Sequence, residues 1–358
     1  MKGILPIFDY NPSESGRPLI IAGPCGAETE EQTLATARGL ASRGVGAFRA
    51  GLWKPRTRPG CFEGVGERGL PWLRKVKEQT GMPVATEVAN ASHVAQAIEG
   101  GVDILWIGAR TTANPFAVQE VADAITGMQE KKGMDIPVMV KNPISPDIEL
   151  WIGALQRMSN AGVKRMAAVH RGFSVYGKHL YRNMPQWQIP MELRRRMPDL
   201  QLICDPSHIG GSRKLILPIS QQALDMGFDG LIIESHCCPD EALSDAAQQI
   251  TPSCLGEIID KLEVRMQTEA QDGLALYREE IDALDDELLD ILARRMALSR
   301  RIGEYKKERR MPVVQPQRYG EMMANRLAKA ECLGLAPEFV RTLHAAIHEE
   351  SVRQQLEL

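Results

Sequence analysis

Eight short apolar runs, separated by longer amphipathic segments, are the feature that most constrains how this chain folds. The runs are rich in aliphatic and β-branched residues and cover 18–25, 46–50, 83–88, 104–109, 137–142, 166–172, 201–207 and 230–236. The segments between them have helical periodicity, for example at 29–43, 69–79 and 147–160. Eight strands that alternate with helices predict an α/β fold, a parallel (β/α)8 barrel. A doubly wound sheet is the competing fold, but GPCGAE after the first run is not a G-x-G-x-x-G phosphate loop.

The character of the sequence changes after about residue 256. Neither a strand pattern nor a tryptophan follows, and the remaining residues have helical patterns. One long helix is predicted over 276–307 and is ended by Pro312, and two further helices begin at Pro316 and Pro337 and end near residues 331 and 356. The sequence therefore predicts a barrel over 1–256, a linker over 257–273 and an all-α three-helix domain over 274–358.

Composition and charge exclude several classes of protein. The chain has 43 Lys and Arg against 46 Asp and Glu, a formal net charge of −3, so its overall charge does not indicate nucleic acid binding. No apolar run approaches the roughly 20 residues that a membrane helix needs, and the first residues do not form a signal peptide. We expect a cytoplasmic protein whose seven cysteines are free thiols or metal ligands.

Nearly every predicted strand ends in a charged residue or in a side chain that can bind a metal. In such barrels the C-terminal ends of the strands meet at one mouth. The cations expected there suit two phosphorylated ligands, or a phosphate and a carboxylate, and are Arg49, Lys54, Arg56, Arg110, Lys141 and Arg171. A second group combines a thiol, an imidazole and two carboxylates, and consists of Cys25, His208, Glu234 and Asp245. This mixed set suits manganese, iron, cobalt or zinc better than calcium or magnesium.

The motifs at these strand ends resemble those of the 3-deoxy-D-arabino-heptulosonate 7-phosphate (DAHP) synthases. They are GPC at 23–25, FRAGLWKPRT at 48–57, IGAR at 107–110, VKN at 140–142, HRG at 170–172, DPSH at 205–208 and ALSDAAQ at 242–248. The resemblance implies that a divalent metal, manganese in the first place, is bound by Cys25, His208, Glu234 and Asp245. It implies that phosphoenolpyruvate is bound by Arg49, Lys54, Arg110, Lys141 and Arg171.

The same resemblance assigns the second substrate and the reaction. Erythrose 4-phosphate is expected at the loop formed by Lys54, Pro55, Arg56 and Thr57, although Arg58 stands where many members have serine. C3 of phosphoenolpyruvate would attack the aldehyde, with Lys54 as the expected proton donor, before water adds at C2 and phosphate leaves. Two alternatives are an octulosonate-type synthase acting on arabinose 5-phosphate, which the KPRT motif disfavours, and a phosphate-binding barrel without catalysis.

The long C-terminal helix carries cations on its apolar side. Its apolar stripe consists of Ile281, Leu284, Leu288, Ile291, Leu298 and Ile302, and is expected to be buried. Extending this stripe leads to Arg278, Arg295 and Lys306, and cations on a buried seam are costly unless they are paired. At about 1.5 Å per residue, Arg278 and Lys306 lie roughly 42 Å apart along the helix. A partner chain is therefore expected to bring its Arg278 to the pocket formed by the other two cations.

This pattern resembles the all-helical chorismate mutases over about 276–356. The motifs are LYREEIDALDDELL, GEYK, PV and EESVRQQ, in that order. The resemblance implies that chorismate or prephenate is bound in a homodimer, or a higher assembly, by Arg278, Arg295, Lys306, Arg318, Ser351 and Gln355. Tyr319 and Gln315 stand where the family usually has acidic residues. A dimerisation or prephenate-sensing module without catalysis is the alternative, but it would not need Lys306 and Gln355 at the ether oxygen.

The position of the first predicted strand suggests how the barrel is regulated. That strand begins near residue 18, so the 17 residues before it are too few for a separate regulatory domain of the kind that some synthases carry there. We expect instead that prephenate or chorismate bound at the helical domain inhibits the barrel. The segment 256–273, with Gly273 as a pivot, is the expected place of the accompanying conformational change.

Overall fold

The computed structural model describes residues 3–9, 16–56, 60–177, 179–265 and 272–358, with side chains in the last range from residue 277 onwards. The chain divides into two compact units, Met1–Gln267 and Thr268–Leu358. A helix at Pro252–Ile259 runs past the predicted barrel end at residue 256. The part of the predicted linker at 266–271 lies outside the described residues.

The first unit contains a closed barrel of eight parallel strands in the order of the sequence. The strands are β1 (Leu19–Gly23), β2 (Ala47–Arg49), β3 (Val84–Val88), β4 (Ile104–Ile107), β5 (Val138–Lys141), β6 (Met166–His170), β7 (Gln201–Cys204) and β8 (Gly230–Glu234). Pairing of β1 with β8, from Leu19 opposite Gly230 to Gly23 opposite Glu234, closes the barrel. Each predicted run contains one of these strands, so the predicted fold is confirmed.

Helices surround the barrel and position the loops at its mouth. They are α1 (Glu30–Leu40), α2 (Leu70–Thr80), α3 (Ala91–Glu99), α4 (Ala109–Thr112), α5 (Pro115–Lys132), α6 (Ile148–Ala161), α7 (Gln188–Arg196), α8 (Pro206–Gly210), α9 (Ile216–Asp225) and α10 (Pro252–Ile259). Asp147 caps α6 by accepting a hydrogen bond from the Leu150 amide, and Gly162 ends it in the left-handed conformation. Asp205 caps α8 in the same way through the His208 amide, which fixes His208 next to the end of β7.

Alternation along the strands divides the buried side chains into two layers. Ile21 and Ile232 point into the barrel, whereas Ile20 and Ile233 pack against the surrounding helices. At the N-terminal end of the strands, Leu5 pairs with the backbone next to β6. The filled interior leaves the C-terminal mouth as the place where polar side chains gather.

The second unit consists of three helices, α11 (Asp272–Glu308), α12 (Pro316–Cys332) and α13 (Pro337–Leu356). Both α11 and α12 pack against α13. The predicted apolar stripe on α11 is not buried within the single chain, since Leu284 is 63% and Ile291 56% exposed. Gly273 lies in the first turn of α11. Among the described residues, no helix is both long enough and apolar enough to cross a membrane.

Candidate active sites

The mouth of the barrel gathers the side chains that the strand ends predict. One pocket is lined by Arg49, Lys54, Pro55, Arg56, Glu87, Arg110, Lys141, Arg171, Arg182, His208, Glu234 and Asp245, together with the backbone around residue 108. Each of these side chains follows or ends a strand, or comes from a loop at the same face. Thr57, the last residue of the predicted aldose phosphate loop, lies outside the described residues.

Three of the four predicted metal ligands offer atoms close enough to share one ion. Ligand atoms of Cys25, Glu234 and Asp245 all lie within 4.8 Å of one another. The fourth, His208, places its Nε2 atom 3.8 Å from Glu234 Oε1, and its Nδ1 atom lies 2.9 Å from Asp205 Oδ2. A carboxylate beside the second imidazole nitrogen is a common feature of metal-binding histidines.

The state of these ligands fits a bound cation. Within the described residues, Glu234 Oε1 is buried and accepts no hydrogen bond. Burial, followed by the charge of Glu234, raises the pKa of Cys25 to about 12. Such a thiol becomes a strong ligand when a cation replaces its proton. The chemistry of the four side chains therefore fits a borderline divalent ion.

Lys54 lies against the same thiol. Its Nζ atom donates to the Cys25 carbonyl oxygen at 2.8 Å and also contacts Cys25 Sγ. Arg56 lies nearby, with Nε donating to the Phe62 carbonyl at 2.9 Å and Nη1 3.5 Å from Asp245 Oδ2. The KPRT loop thus brings both of its cations to the edge of the candidate metal site.

Of the other predicted cations, Arg49 and Lys141 are buried, Arg171 is partly buried and Arg110 is exposed. Arg49 is only 2% exposed, and its Nη2 atom lies 3.4 Å from Glu234 Oε1, while Nε and Nη1 have no hydrogen-bond partner within the described residues. Lys141 donates to Asp205 Oδ2 at 2.8 Å. Arg171 donates to Asn183 Oδ1 at 2.8 Å. Buried guanidinium donors that lack partners are suited to bind an anionic ligand.

Trp106 on β4 forms the apolar floor beneath two of these cations. The guanidinium carbon of Arg49 lies 4.8 Å from the ring centroid, and Lys141 Nζ lies 5.9 Å from it. The indole nitrogen donates to Glu87 Oε2 at 3.2 Å. This contact fixes the ring, and the ring face in turn orients the cations.

Sequence reasoning missed two residues of this site, Arg182 and Gln248. Arg182 lies in the long connection between β6 and α7, and Gln248 lies in the connection after β8. Neither lies at a strand end, the position from which most of the candidates were assigned. The long connection between His170 and Gln188 is the signal that could have indicated additional contacts.

The helical unit brings five of its six predicted residues to one pocket. Arg295, Lys306, Arg318, Ser351 and Gln355 all line it. Arg295 donates to Ser351 Oγ, and Lys306 Nζ donates to Gln355 Oε1 at 3.2 Å and to the Val313 carbonyl at 2.6 Å. The two proposed ether-oxygen donors, Lys306 and Gln355, therefore meet at one place.

Arg278 is the sixth predicted residue, and the single chain does not bring it to this pocket. It lies near the start of α11 and is exposed. Lys306 lies 28 residues further along the same continuous helix, which corresponds to roughly 42 Å. Because α11 is unbroken over this distance, only an Arg278 from a second chain can reach the pocket.

The pocket in the helical unit is strongly cationic. It is lined by Arg295, Lys306, Arg318 and Arg326, of which Arg326 was missed, and among the described residues no Asp or Glu lines it. Burial, followed by the charges of Arg295 and Lys306, lowers the pKa of His348. The His348 ring lies 4.3 Å from that of Tyr319, the residue at a usually acidic position. Such a pocket suits a small dianion.

Family models match both units. The DAHP synthetase I family model matches residues 13–270, and the chorismate mutase type II model matches residues 277–356. The two matches do not overlap, and together they account for most of the chain.

Relatives of the first unit include a heptonate aldolase and an octonate aldolase. The chain is 33% identical over 243 residues to a phospho-2-dehydro-3-deoxyheptonate aldolase of Thermotoga maritima, covering 68% of this chain and 68% of the relative. It is 30% identical over 250 residues to a 2-dehydro-3-deoxyphosphooctonate aldolase of Syntrophotalea carbinolica, covering 64% of this chain and 84% of the relative.

A solved structure leads to the same conclusion. A crystal structure of the DAHP synthase of Thermotoga maritima aligns with a TM-score of 0.60 at 31% identity, covering 69% of this chain and 68% of that one. The chain thus belongs to the DAHP synthetase I family and carries a chorismate mutase type II domain after it, which makes it a bifunctional enzyme of the shikimate pathway, a transferase joined to an isomerase.

Proposed function

We propose that the barrel condenses phosphoenolpyruvate with erythrose 4-phosphate to give DAHP and phosphate. The observation that carries this proposal is the convergence of a four-residue ligand set and a group of cations in one pocket. Two phosphorylated substrates repel each other in water. A pocket with several fixed cations offsets this repulsion and holds the reacting carbons together.

Phosphoenolpyruvate is proposed to occupy the deeper part of the pocket. Its phosphate and carboxylate are bound by Arg49, Lys54, Arg110, Lys141 and Arg171, all of which line that pocket. Bidentate contacts from guanidinium groups match the geometry of both anions. The phosphate of erythrose 4-phosphate is assigned to the KPRT loop, where Arg56 lies at the outer edge beside Asp245.

Cys25, His208, Glu234 and Asp245 are proposed to hold the divalent metal. The resemblance gives manganese as the first candidate, and a thiolate, an imidazole and two carboxylates suit iron, cobalt and zinc as well. When bound, the ion supplies Lewis acidity toward the aldehyde oxygen of the aldose phosphate.

The residues of the chain then have distinct tasks in the condensation. C3 of phosphoenolpyruvate attacks the aldehyde carbon, and Lys54, whose Nζ lies at the Cys25 carbonyl, gives a proton to the new hydroxyl oxygen. Water adds at C2 of the former enolpyruvyl group, and the phosphate leaves from the resulting tetrahedral carbon. The buried cations, Arg49 and Lys141 among them, stabilise the charge that develops on the departing phosphate.

The test of this function is the choice of aldose phosphate. We expect the purified chain to form product with erythrose 4-phosphate and to use arabinose 5-phosphate at less than about 1% of that rate. Arabinose 5-phosphate is one hydroxymethylene group longer than erythrose 4-phosphate. If its phosphate is held at the KPRT loop, its aldehyde is displaced from the position that the reaction requires. Phosphate release with each sugar, at equal concentrations and with the same metal, measures the ratio. Preference for the five-carbon sugar would identify an octulosonate-type synthase instead.

We propose that the helical unit rearranges chorismate to prephenate in a homodimer located in the cytoplasm. Arg295 and Arg318, with Arg278 of a second chain, would bind the two carboxylates, while Ser351 lines the pocket. Lys306 and Gln355 would donate to the ether oxygen, where negative charge develops in the Claisen transition state. The exposed stripe on α11 supports a dimer, because a single chain leaves these apolar side chains in water.

We also propose that prephenate or chorismate bound to the helical unit inhibits the barrel. Such coupling requires the ligand to favour one state of the protein over another, typically by about 1–3 kcal/mol. We expect prephenate to lower the condensation rate of the intact chain about 5–150-fold at saturation. The same titration on Arg295→Ala should show little inhibition, because the carboxylate clamp is lost. Inhibition that survives in Arg295→Ala, or none in the intact chain, would exclude this mechanism.

A further inference from the structure

Arg182, in the connection between β6 and α7, makes a hydrogen bond to a carboxylate of the candidate metal site. Arg182 Nη1 donates to Asp245 Oδ1 at 2.8 Å and to Gln248 Oε1 at 2.6 Å. Gln248 Nε2 in turn donates to Glu234 Oε2 at 2.7 Å. One guanidinium group is therefore linked to both carboxylates of the ligand set, directly to one and through a buried amide to the other.

Asp245 depends on such support because of its backbone. Its φ angle of 53° lies in the left-handed region, which residues other than glycine rarely adopt. The backbone N–H of Gln248 donates to the backbone carbonyl oxygen of Asp245 at 3.1 Å and closes the turn. The hydrogen bond from Arg182 to Oδ1 therefore helps to hold the carboxylate in place on this unusual backbone.

Gln248 gives Glu234 a defined orientation. Its side chain is 1% exposed, and its amide holds Oε2 of the carboxylate while Oε1 has no hydrogen-bond partner within the described residues. This second oxygen lies 3.8 Å from His208 Nε2 and 3.4 Å from Arg49 Nη2. The Gln248 side-chain amide thus occupies Oε2 of Glu234 and leaves Oε1 to face a cation.

The residue next to Arg182 fixes the same loop to the site. Asn183 Nδ2 donates to the His208 carbonyl at 2.6 Å, and Asn183 N donates to the Ile209 carbonyl at 3.1 Å. Its Oδ1 atom accepts from Arg171 at 2.8 Å. Arg182 is therefore presented by a segment that is anchored to the residues after β6 and after β7.

We propose that Arg182 is a positioning residue that, together with Gln248, orients Asp245 and Glu234 for metal binding. The proposal rests on the assignment of the metal ligands made under the proposed function. Hydrogen-bond partners of metal ligands typically change metal affinity about 10–100-fold when they are removed. The competing role for Arg182 is that of another substrate-binding cation, since it also lines the pocket.

Metal binding, measured without substrates, separates these roles. Cobalt(II) is titrated into the metal-free full chain by equilibrium dialysis, and the thiolate-to-cobalt absorption band reports coordination by Cys25. We expect Arg182→Gln and Gln248→Leu each to weaken cobalt binding about 10–100-fold. Arg182→Lys keeps the positive charge but loses the guanidinium group that contacts Asp245 and Gln248. This variant should recover only part of the lost affinity.

Arg213→Gln is the matched control. Arg213 also contacts the 245–249 segment, donating to the Ala246 carbonyl at 2.9 Å and to the Gln249 carbonyl at 2.7 Å, but it touches no ligand carboxylate. We expect this variant to bind cobalt like the unaltered chain. Equal weakening in Arg213→Gln would show that any loosening of the segment suffices, and would overturn a specific role for Arg182.

The remaining outcomes distinguish an error in the role of Arg182 from an error in the assignment of the metal ligands. If the unaltered chain binds cobalt without the thiolate band, or if Cys25→Ala binds it equally well, the assigned metal site is wrong. If the unaltered chain binds cobalt through Cys25 and Arg182→Gln does so with the same affinity, only the positioning role is wrong. Unchanged cobalt binding with a raised KM for either substrate would make Arg182 a substrate-binding cation.

Discussion

Replacing Cys25 by alanine, or removing divalent ions with a chelator, is expected to abolish DAHP formation and to leave chorismate rearrangement intact. Ligand atoms of Cys25, Glu234 and Asp245 lie within 4.8 Å of one another, so the thiol is central to the proposed site. Loss of a Lewis acid removes several kcal/mol of transition-state stabilisation, which corresponds to roughly a thousandfold or more in rate. No carboxylate or cysteine among the described residues lines the pocket of the helical unit.

Both rates are measured on the same preparation, by phosphate release and by loss of chorismate absorbance. Cys204→Ala is the matched control, because Cys204 is a fully buried thiol on β7 that packs in the core outside the barrel interior. We expect this variant to keep its condensation activity, apart from any loss of thermal stability. If chelation stopped both reactions while circular dichroism showed a folded protein, the division of labour between the two units would be wrong.

Arg278→Ala and Lys306→Ala are each expected to lower the rate of chorismate rearrangement at least about 100-fold, because Lys306 is the proposed donor to the ether oxygen and Arg278 is a proposed clamp on a substrate carboxylate. A mixture of the two variant chains should nevertheless regain activity. A heterodimer has one pocket with neither substitution, because each pocket combines Lys306 of one chain with Arg278 of the other. Random exchange of equal amounts therefore restores about a quarter of the original rate.

A second mixture provides the control for this complementation. Arg295 and Lys306 line the same pocket within one chain. When Arg295→Ala is mixed with Lys306→Ala, every pocket of the heterodimer carries one substitution, so no recovery is expected. Recovery in this second mixture, or its absence in the first after verified subunit exchange, would contradict a pocket shared between chains.

The architecture could be predicted because local patterns and the fold agree. The eight aliphatic runs became eight strands, and the helices predicted to start at Pro316 and Pro337 start there. The observed strands are shorter than the runs, since backbone pairing stops where the chain turns toward the mouth. At β2, the strand spans Ala47–Arg49, although the run extends over 46–50. Apolar character marks burial, whereas strand length is set by hydrogen bonding to neighbours.

The sites could be predicted only where a rule connects position to function. Strand ends of a barrel meet, so Arg49, Lys141 and Glu234 were assigned to one mouth and do line one pocket. Arg182 and Gln248 belong to connections, whose course depends on tertiary contacts that periodicity does not encode. Arg326 was missed because it lies outside the motifs of the helical family. The stripe on α11 was expected to be buried, and a single chain cannot show that burial.

The position of Trp106 has a practical consequence for following ligands. All five tryptophans, residues 53, 72, 106, 151 and 187, belong to the barrel unit, and Trp106 lies beneath the cations of its pocket. Fluorescence excited selectively in tryptophan therefore originates entirely from the barrel. A change in that emission on adding phosphoenolpyruvate reports on the barrel unit, in which Trp106 lies against the cations of the pocket. A change on adding prephenate would be a signal transmitted from a unit without a fluorophore of this kind, so the chain contains its own probe for communication between its two activities.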